Sequence, residues 1–148
     1  MPLAVENIAA LFDWPDDELT EGAFLSELID RTGVALVLDV ANVYANALNR
    51  GQDPWTELQR LPLERIAYCH IAGGSIRDGM YHDTHTDPVP IEVLDLLRHL
   101  TDSGRRPAIM LERDGHYPPA TELLTELDAI ADAAGLDSIT SNTAWSRI

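Results

Sequence analysis

Val34-Ala35-Leu36-Val37-Leu38-Asp39-Val40 is apolar at every position until it meets a carboxylate. A strand with one wet face alternates apolar and polar residues, whereas a run like this is buried on both faces, as in a parallel sheet covered by helices. Segments of the same kind lie on either side. Leu3 to Ile8 is a short apolar strand that ends in a carboxylate and an amide, Glu6 and Asn7. Leu63 to Ile71 ends in His70, and Pro107 to Glu112 ends in Glu112. Helical segments separate them. Thr20 to Gly33 is amphipathic, with Thr20 as cap, Glu18 and Glu21 near its positive end and Gly33 as its stop. Asn42 to Asn49 continues the second strand as a helical turn or short helix, broken by Gly51 and Pro54, and Trp55 to Leu61 forms another. Ile91 to Ser103 carries the stripe Val93, Leu94, Leu96, Leu97 and Leu100, and Pro119 to Ala134 opens on proline and stops at Gly135. Asp137 to Ile148 reads as a loosely ordered tail. Four strand-then-helix units in series predict an α/β fold of (β/α) TIM-barrel type, a half barrel within one domain spanning residues 1–148.

The strand ends carry the chemistry. Glu6, Asp39, His70 and Glu112 all close strands, the position where (β/α)-barrels keep their catalytic residues. Residues 70–90, read as one loop, add His82 and His85 and three aspartates. Asp83 and His85 are two apart, so an extended backbone would aim both at one ion. Carboxylate and imidazole without thiolate are the ligands of non-haem iron, zinc or manganese. The plainer alternative is a solvated polar loop broken by Pro88 and Pro90.

Composition narrows the partners. Ten Lys+Arg against 25 Asp+Glu give a formal charge of -15, which excludes a phosphate-binding basic face and argues against nucleic acid. The chain has no lysine, so Schiff-base chemistry is excluded, and no serine elbow is present. The lone Cys69 lies in an apolar run and reads as a buried thiol. No signal peptide or long apolar run stands out, so no membrane role and a cytoplasmic location are expected.

Taken together, Val5-Glu6-Asn7, Leu38 to Ala47, Leu61 to Arg65, His70-Ile71-Ala72-Gly73, Asp83-Thr84-His85 with Pro88-Val89-Pro90, and Leu111 to Asp114 resemble the multinuclear non-haem iron-dependent oxidative enzymes of methanobactin-oxidase type. The similarity runs from about Val5 to about Leu127. It implies a TIM barrel that holds two or three irons and uses dioxygen to remodel cysteine or another residue of a ribosomally made precursor peptide, usually beside a leader-binding partner protein. Carried over, it makes Glu6 a bridging carboxylate and Asp39, His70 and Glu112 ligands of one iron. Asn42, Asp83 and His85 would serve a further iron. Against these stand plainer roles: Asn42 as a helix cap, Glu112 as the partner of Arg113 or Arg65, His82 and His116 as loop residues, and His99 on a surface helix.

The likeness covers only the C-terminal half of that family, without the early strands that bring two histidines to the first iron. Ala41 and Gly74 also replace an asparagine and a histidine usual there. A curved sheet of four parallel strands leaves two open edges and an uncovered interior. A homodimer or a separate N-terminal half-chain is therefore expected to complete it. Two other functions fit the same residues: a non-catalytic half-barrel subunit, and a sugar-isomerase-like or endonuclease-like barrel using divalent metal.

Overall fold

The computed structural model of the chain describes residues 3–141. Strands β1 (Ala4–Glu6), β2 (Ala35–Asp39), β3 (Ile66–Ile71) and, later in the chain, Ile109–Leu111 form one parallel sheet in that order. Each is followed by helix: α1 (Glu21–Thr32), then α2 (Val40–Arg50) with α3 (Pro54–Gln59), then α4 (Ile91–Asp102), and finally α5 (Ala120–Ala133). This is an α/β fold compatible with part of a (β/α)-barrel.

One sheet face carries the core. Leu36, Leu38, Cys69 and Ile71 alternate toward the helices and are fully buried against Leu25 and Ile29 of α1, Val40 and Val43 of α2, and Val93, Leu97 and Leu100 of α4. Truncating a fully buried leucine in such a cluster costs about 2–5 kcal/mol. The register aligns Val37 with Tyr68, Asp39 with His70, and His70 with Met110, so these side chains share the opposite face. No helix covers that face among the described residues, and Tyr68 and Met110 remain 37% and 46% exposed.

Residues 70–90 are not a loop. Gly73–Arg77 and Met80–Asp87 form an antiparallel hairpin, β4 and β5, which makes the parallel strand Ile109–Leu111 β6. The turn is Asp78-Gly79, with φ of 51° and 81°, the pair of left-handed residues that a two-residue hairpin turn of the primed type requires. Gly73 and Gly74 let the strands close: a Cβ on Gly73 would lie 2.1 Å from the Asp87 carbonyl oxygen, and one on Gly74 2.6 Å from the Tyr81 ring. A histidine at position 74 would therefore collide with Tyr81, whose hydroxyl accepts from the Gly74 N–H at 2.8 Å.

Three smaller expectations change. Val40 starts α2 instead of ending β2, because Asp39 already caps the helix: its Oδ1 accepts from the Asn42 N–H at 2.8 Å. Leu63–Arg65 is a 3-10 turn ahead of β3. Residues 137–141 are tied back to α5, where Asp128 accepts from the Thr140 N–H at 3.1 Å; the rest of the expected tail lies outside the described residues.

Candidate metal centre

Parallel strands deliver the side chains at their C-terminal ends to one end of the sheet; His70 is the last but one residue of β3, and Glu112 follows β6 directly. Glu6, Asp39, His70 and Glu112 arrive there together, each with one ligand-type atom within 4.8 Å of those of the other three. His70 Nδ1 lies 3.1 Å from Glu6 Oε1 and 3.4 Å from Glu112 Oε1. Asp39 is wholly buried.

Asn7 explains how Asp39 is held. Its amide bonds both main-chain groups of Asp39, accepting from the N–H and donating to the carbonyl, each at 2.9 Å. Its own carbonyl accepts from Asn42 Nδ2 at 3.0 Å. In the sequence this role shows only as an amide straight after a strand-ending carboxylate, a residue type that is not itself a usual metal ligand.

A second group sits beside the first. His85 Nε2 lies 2.8 Å from Asp83 Oδ2, and its Nδ1 lies 3.1 Å from Asp114 Oδ2 and 3.7 Å from Glu112 Oε2. Glu112 thus turns one oxygen toward each histidine, the bridging position that the resemblance gives to Glu6. Asp114 is a further residue the ligand pattern did not single out. The expected meeting of Asp83 and His85 occurs, but by a different backbone: His85 has φ of 52°, a left-handed conformation that costs about 1–2 kcal/mol for a residue with a Cβ. Such strain persists where the surroundings impose it. Here Asp114 N–H donates to the His85 carbonyl at 3.0 Å, and Arg113 Nη1 to the next carbonyl, Thr86, at 2.8 Å.

The plainer roles sort out cleanly. Arg113 pairs with Glu126 at 2.8 Å and Arg65 donates to the Val34 carbonyl at 3.2 Å, so neither takes Glu112. Asn42 does not cap α2, and it lines the same cavity of about 400 Å³ as Glu6, Asp83, His85 and Glu112. His82, expected as a loop residue, is also on that wall. His99 is exposed on α4 against Trp55, and His116 is exposed and does not line that cavity.

The electrostatics are those of crowded acids. Burial pushes the Asp39 carboxyl up to about 6, with the Asp83 and Glu6 charges adding and the Asn42 N–H opposing. Burial also raises Asp83, against the pull of His85. His85 is opposed by its own burial, yet Asp83, Glu112 and Asp114 together raise it. Burial, with the Asp39 charge, pushes the Cys69 thiol up to about 12, and its side chain lies in the core on the other side of the sheet.

Four polar atoms of this region are buried without a hydrogen-bond partner: Asp39 Oδ2, Asn42 Oδ1, His70 Nε2 and Asp83 Oδ1. Such atoms are rare unless something else satisfies them. A hard cation would do so, and the donor set suits iron, manganese or zinc.

A family model of RiPP precursor modification enzymes, MbnB/TglH/ChrH, matches residues 1–135. The chain belongs to this family. Similar curated proteins carry the name UPF0276 protein. One from Streptomyces avermitilis is 55% identical over 130 residues, covering 88% of this chain and 27% of its own. One from Caulobacter vibrioides is 39% identical over 127 residues, 86% of this chain and 45% of the relative. One from Pseudomonas aeruginosa is 41% identical over 133 residues, 88% and 46% respectively. The chain spans between about a quarter and a half of these relatives' length. Among the described residues no helix is long and apolar enough to cross a membrane.

Proposed function

We propose that this chain forms the iron-holding part of a (β/α)-barrel that oxidatively modifies a residue, cysteine or similar, of a ribosomally made peptide, with dioxygen as oxidant. The observation that carries the reading is the convergence of four strand-end ligand residues within 4.8 Å of one another, in a chain of the RiPP modification family. Glu6, Asp39, His70 and Glu112 would hold one ion; Asn42, Asp83 and His85 would hold a second, with Glu112 facing both. Iron so held supplies redox chemistry and open positions for a substrate thiolate and dioxygen.

The chain's own residues do the positioning. Asn7 fixes the main chain at Asp39, so the carboxylate projects at one angle. Asp114, on His85 Nδ1, sets the imidazole's tautomer and leaves Nε2 to face Asp83 and the cavity. The cluster of carboxylates around His85 is also where a proton leaving a substrate thiol can be kept. Membership of the RiPP modification family favours this chemistry over a sugar-isomerase-like or endonuclease-like barrel.

A second copy of the chain, or a separate N-terminal half-chain, would cover the open sheet face, and a leader-binding protein would present the peptide. The exposure of Tyr68 and Met110 also supports a second reading, a non-catalytic half-barrel subunit.

Metal analysis separates the two. The chain is purified without oxygen, offered Fe(II), and its metal content measured by mass spectrometry beside an Asp39→Ala, His70→Ala double variant. Iron at one or more per chain, lost in the variant, is the expected result. Absence of iron from both proteins overturns the first reading in favour of the second.

A further inference from the structure

The segment between β1 and α1 forms a second concave surface, a groove of about 1050 Å³ that shares Glu6 and Ile8 with the cavity of the metal centre. It is an ordered surface with its apolar residues turned outward. Phe12 and Trp14 pack edge to face at 5.4 Å, yet each is 67% exposed, and Leu19 and Phe24 are exposed beside them. Polar ties hold the segment in this attitude. Asn46 of α2 donates to the Ile8 carbonyl and accepts from the Ala10 N–H, both at 2.8 Å. Glu21 accepts from the Ile8 N–H at 3.0 Å, and Arg50 donates to Asp13 at 3.1 Å. Within the segment, Asp17 N–H donates to the Trp14 carbonyl at 3.1 Å. Collapse onto the core is therefore blocked, and a sizeable apolar patch rimmed by polar groups is left open, which on a soluble protein marks a contact site.

The charge of the groove says what kind of contact. Seven carboxylates line it against two guanidiniums, and both of those are already paired, Arg50 with Asp13 and Arg60 with Glu57. A ligand for this surface must bring positive charge to the acids and apolar side chains to Phe12 and Trp14. Its route past Ile8 ends at the metal centre. We propose that the groove is the docking site for an extended, cationic and apolar segment of the peptide substrate, lying next to the residue to be modified. The inference rests on the function proposed above and specifies its substrate: basic and apolar residues a short distance from the reacting side chain.

The test uses fluorescence anisotropy with two labelled peptides, one of alternating lysine and leucine and the other with glutamate replacing lysine. The full chain should bind the cationic peptide, lose affinity as salt is raised, and ignore the acidic one. A Phe12→Ser, Trp14→Ser variant should lose about tenfold or more in affinity. Glu18→Lys should weaken binding, while the charge-matched Asp102→Lys on α4 should leave it unchanged. Equal effects of Glu18→Lys and Asp102→Lys would reduce the binding to attraction by overall charge and overturn the proposal. So would sedimentation showing a dimer that the Phe12→Ser, Trp14→Ser variant splits, since the groove would then be filled by a second copy. Iron content is measured on the same preparations: iron retained without peptide binding refutes the groove alone, whereas no iron in any preparation refutes the function on which it rests.

Discussion

Asp39 serves two ends that oppose each other. It caps α2, and it is a fully buried carboxylate with one oxygen unpartnered. Burial raises its pKa from 3.8 to about 6, so the folded chain holds this proton more tightly than the unfolded chain does. Without metal, that contribution favours folding below about pH 4 and is lost as pH rises through about 6, a swing of ~3 kcal/mol. His85, also raised, acts in the same direction: its contribution is present below about 6.5, its ordinary value, and disappears as pH rises through the folded value. Chelator-treated protein should therefore melt at a higher temperature at pH 5 than at pH 7.5. Asp39→Asn keeps the cap oxygen, so it should raise the melting temperature at pH 7.5 and flatten the pH dependence while abolishing iron binding. A lower melting temperature for this variant at pH 7.5 would show that the buried charge is not a burden. Iron affinity should run the other way and strengthen with pH, because ligands must lose their protons to bind. At His85 the left-handed backbone gives a second prediction. His85→Asn tolerates that conformation, so thermal stability should stay within about 1 kcal/mol of the parent while iron per chain falls.

At the scale of elements, α2 organises the site. Asn42, Asn46 and Asn49 lie one turn apart on one helix face, and each holds a different segment: Asn42 the end of β1, Asn46 residues 8–10, and Asn49 the hairpin. Asn49 accepts from the Tyr81 N–H at 2.7 Å and donates to its carbonyl at 2.8 Å. Asn49→Ala strands two main-chain groups and should cost about 1–3 kcal/mol in denaturant unfolding. It should also lower iron at the Asp83–His85 position more than at the Asp39–His70 position. Equal loss at both would mean that the hairpin is positioned by something else. The strand ends were legible in the sequence because apolar runs with a polar last residue have one interpretation in a parallel sheet. The hairpin has a weaker signature, Asp78-Gly79 alone, and the histidines and aspartates of 70–90 fit a ligand-bearing loop equally well. Asp114 and Asn7 stayed hidden for another reason: their roles depend on contacts across 29 and 32 residues of chain.

At the scale of the whole molecule, the sheet has a finished side and an unfinished one. The helix-covered side is packed; the side bearing Tyr68 and Met110 leads to the candidate metal centre and leaves both side chains exposed. Closing it with a second copy predicts a sedimentation mass of two chains, reduced to one by Met110→Arg. A mass of one chain in the parent would direct attention to a separate partner half.

Cys69 gives that question a built-in reporter. It is the single thiol of the chain, wholly buried on β3 beside His70 and hydrogen-bonded through its N–H to the Ala108 carbonyl at 2.8 Å. A thiol so placed meets an alkylating reagent only when the sheet parts from its helices. Its labelling rate is therefore a clock for that opening, readable by intact mass without any engineered probe, and iron or a partner half that steadies the sheet should slow the clock.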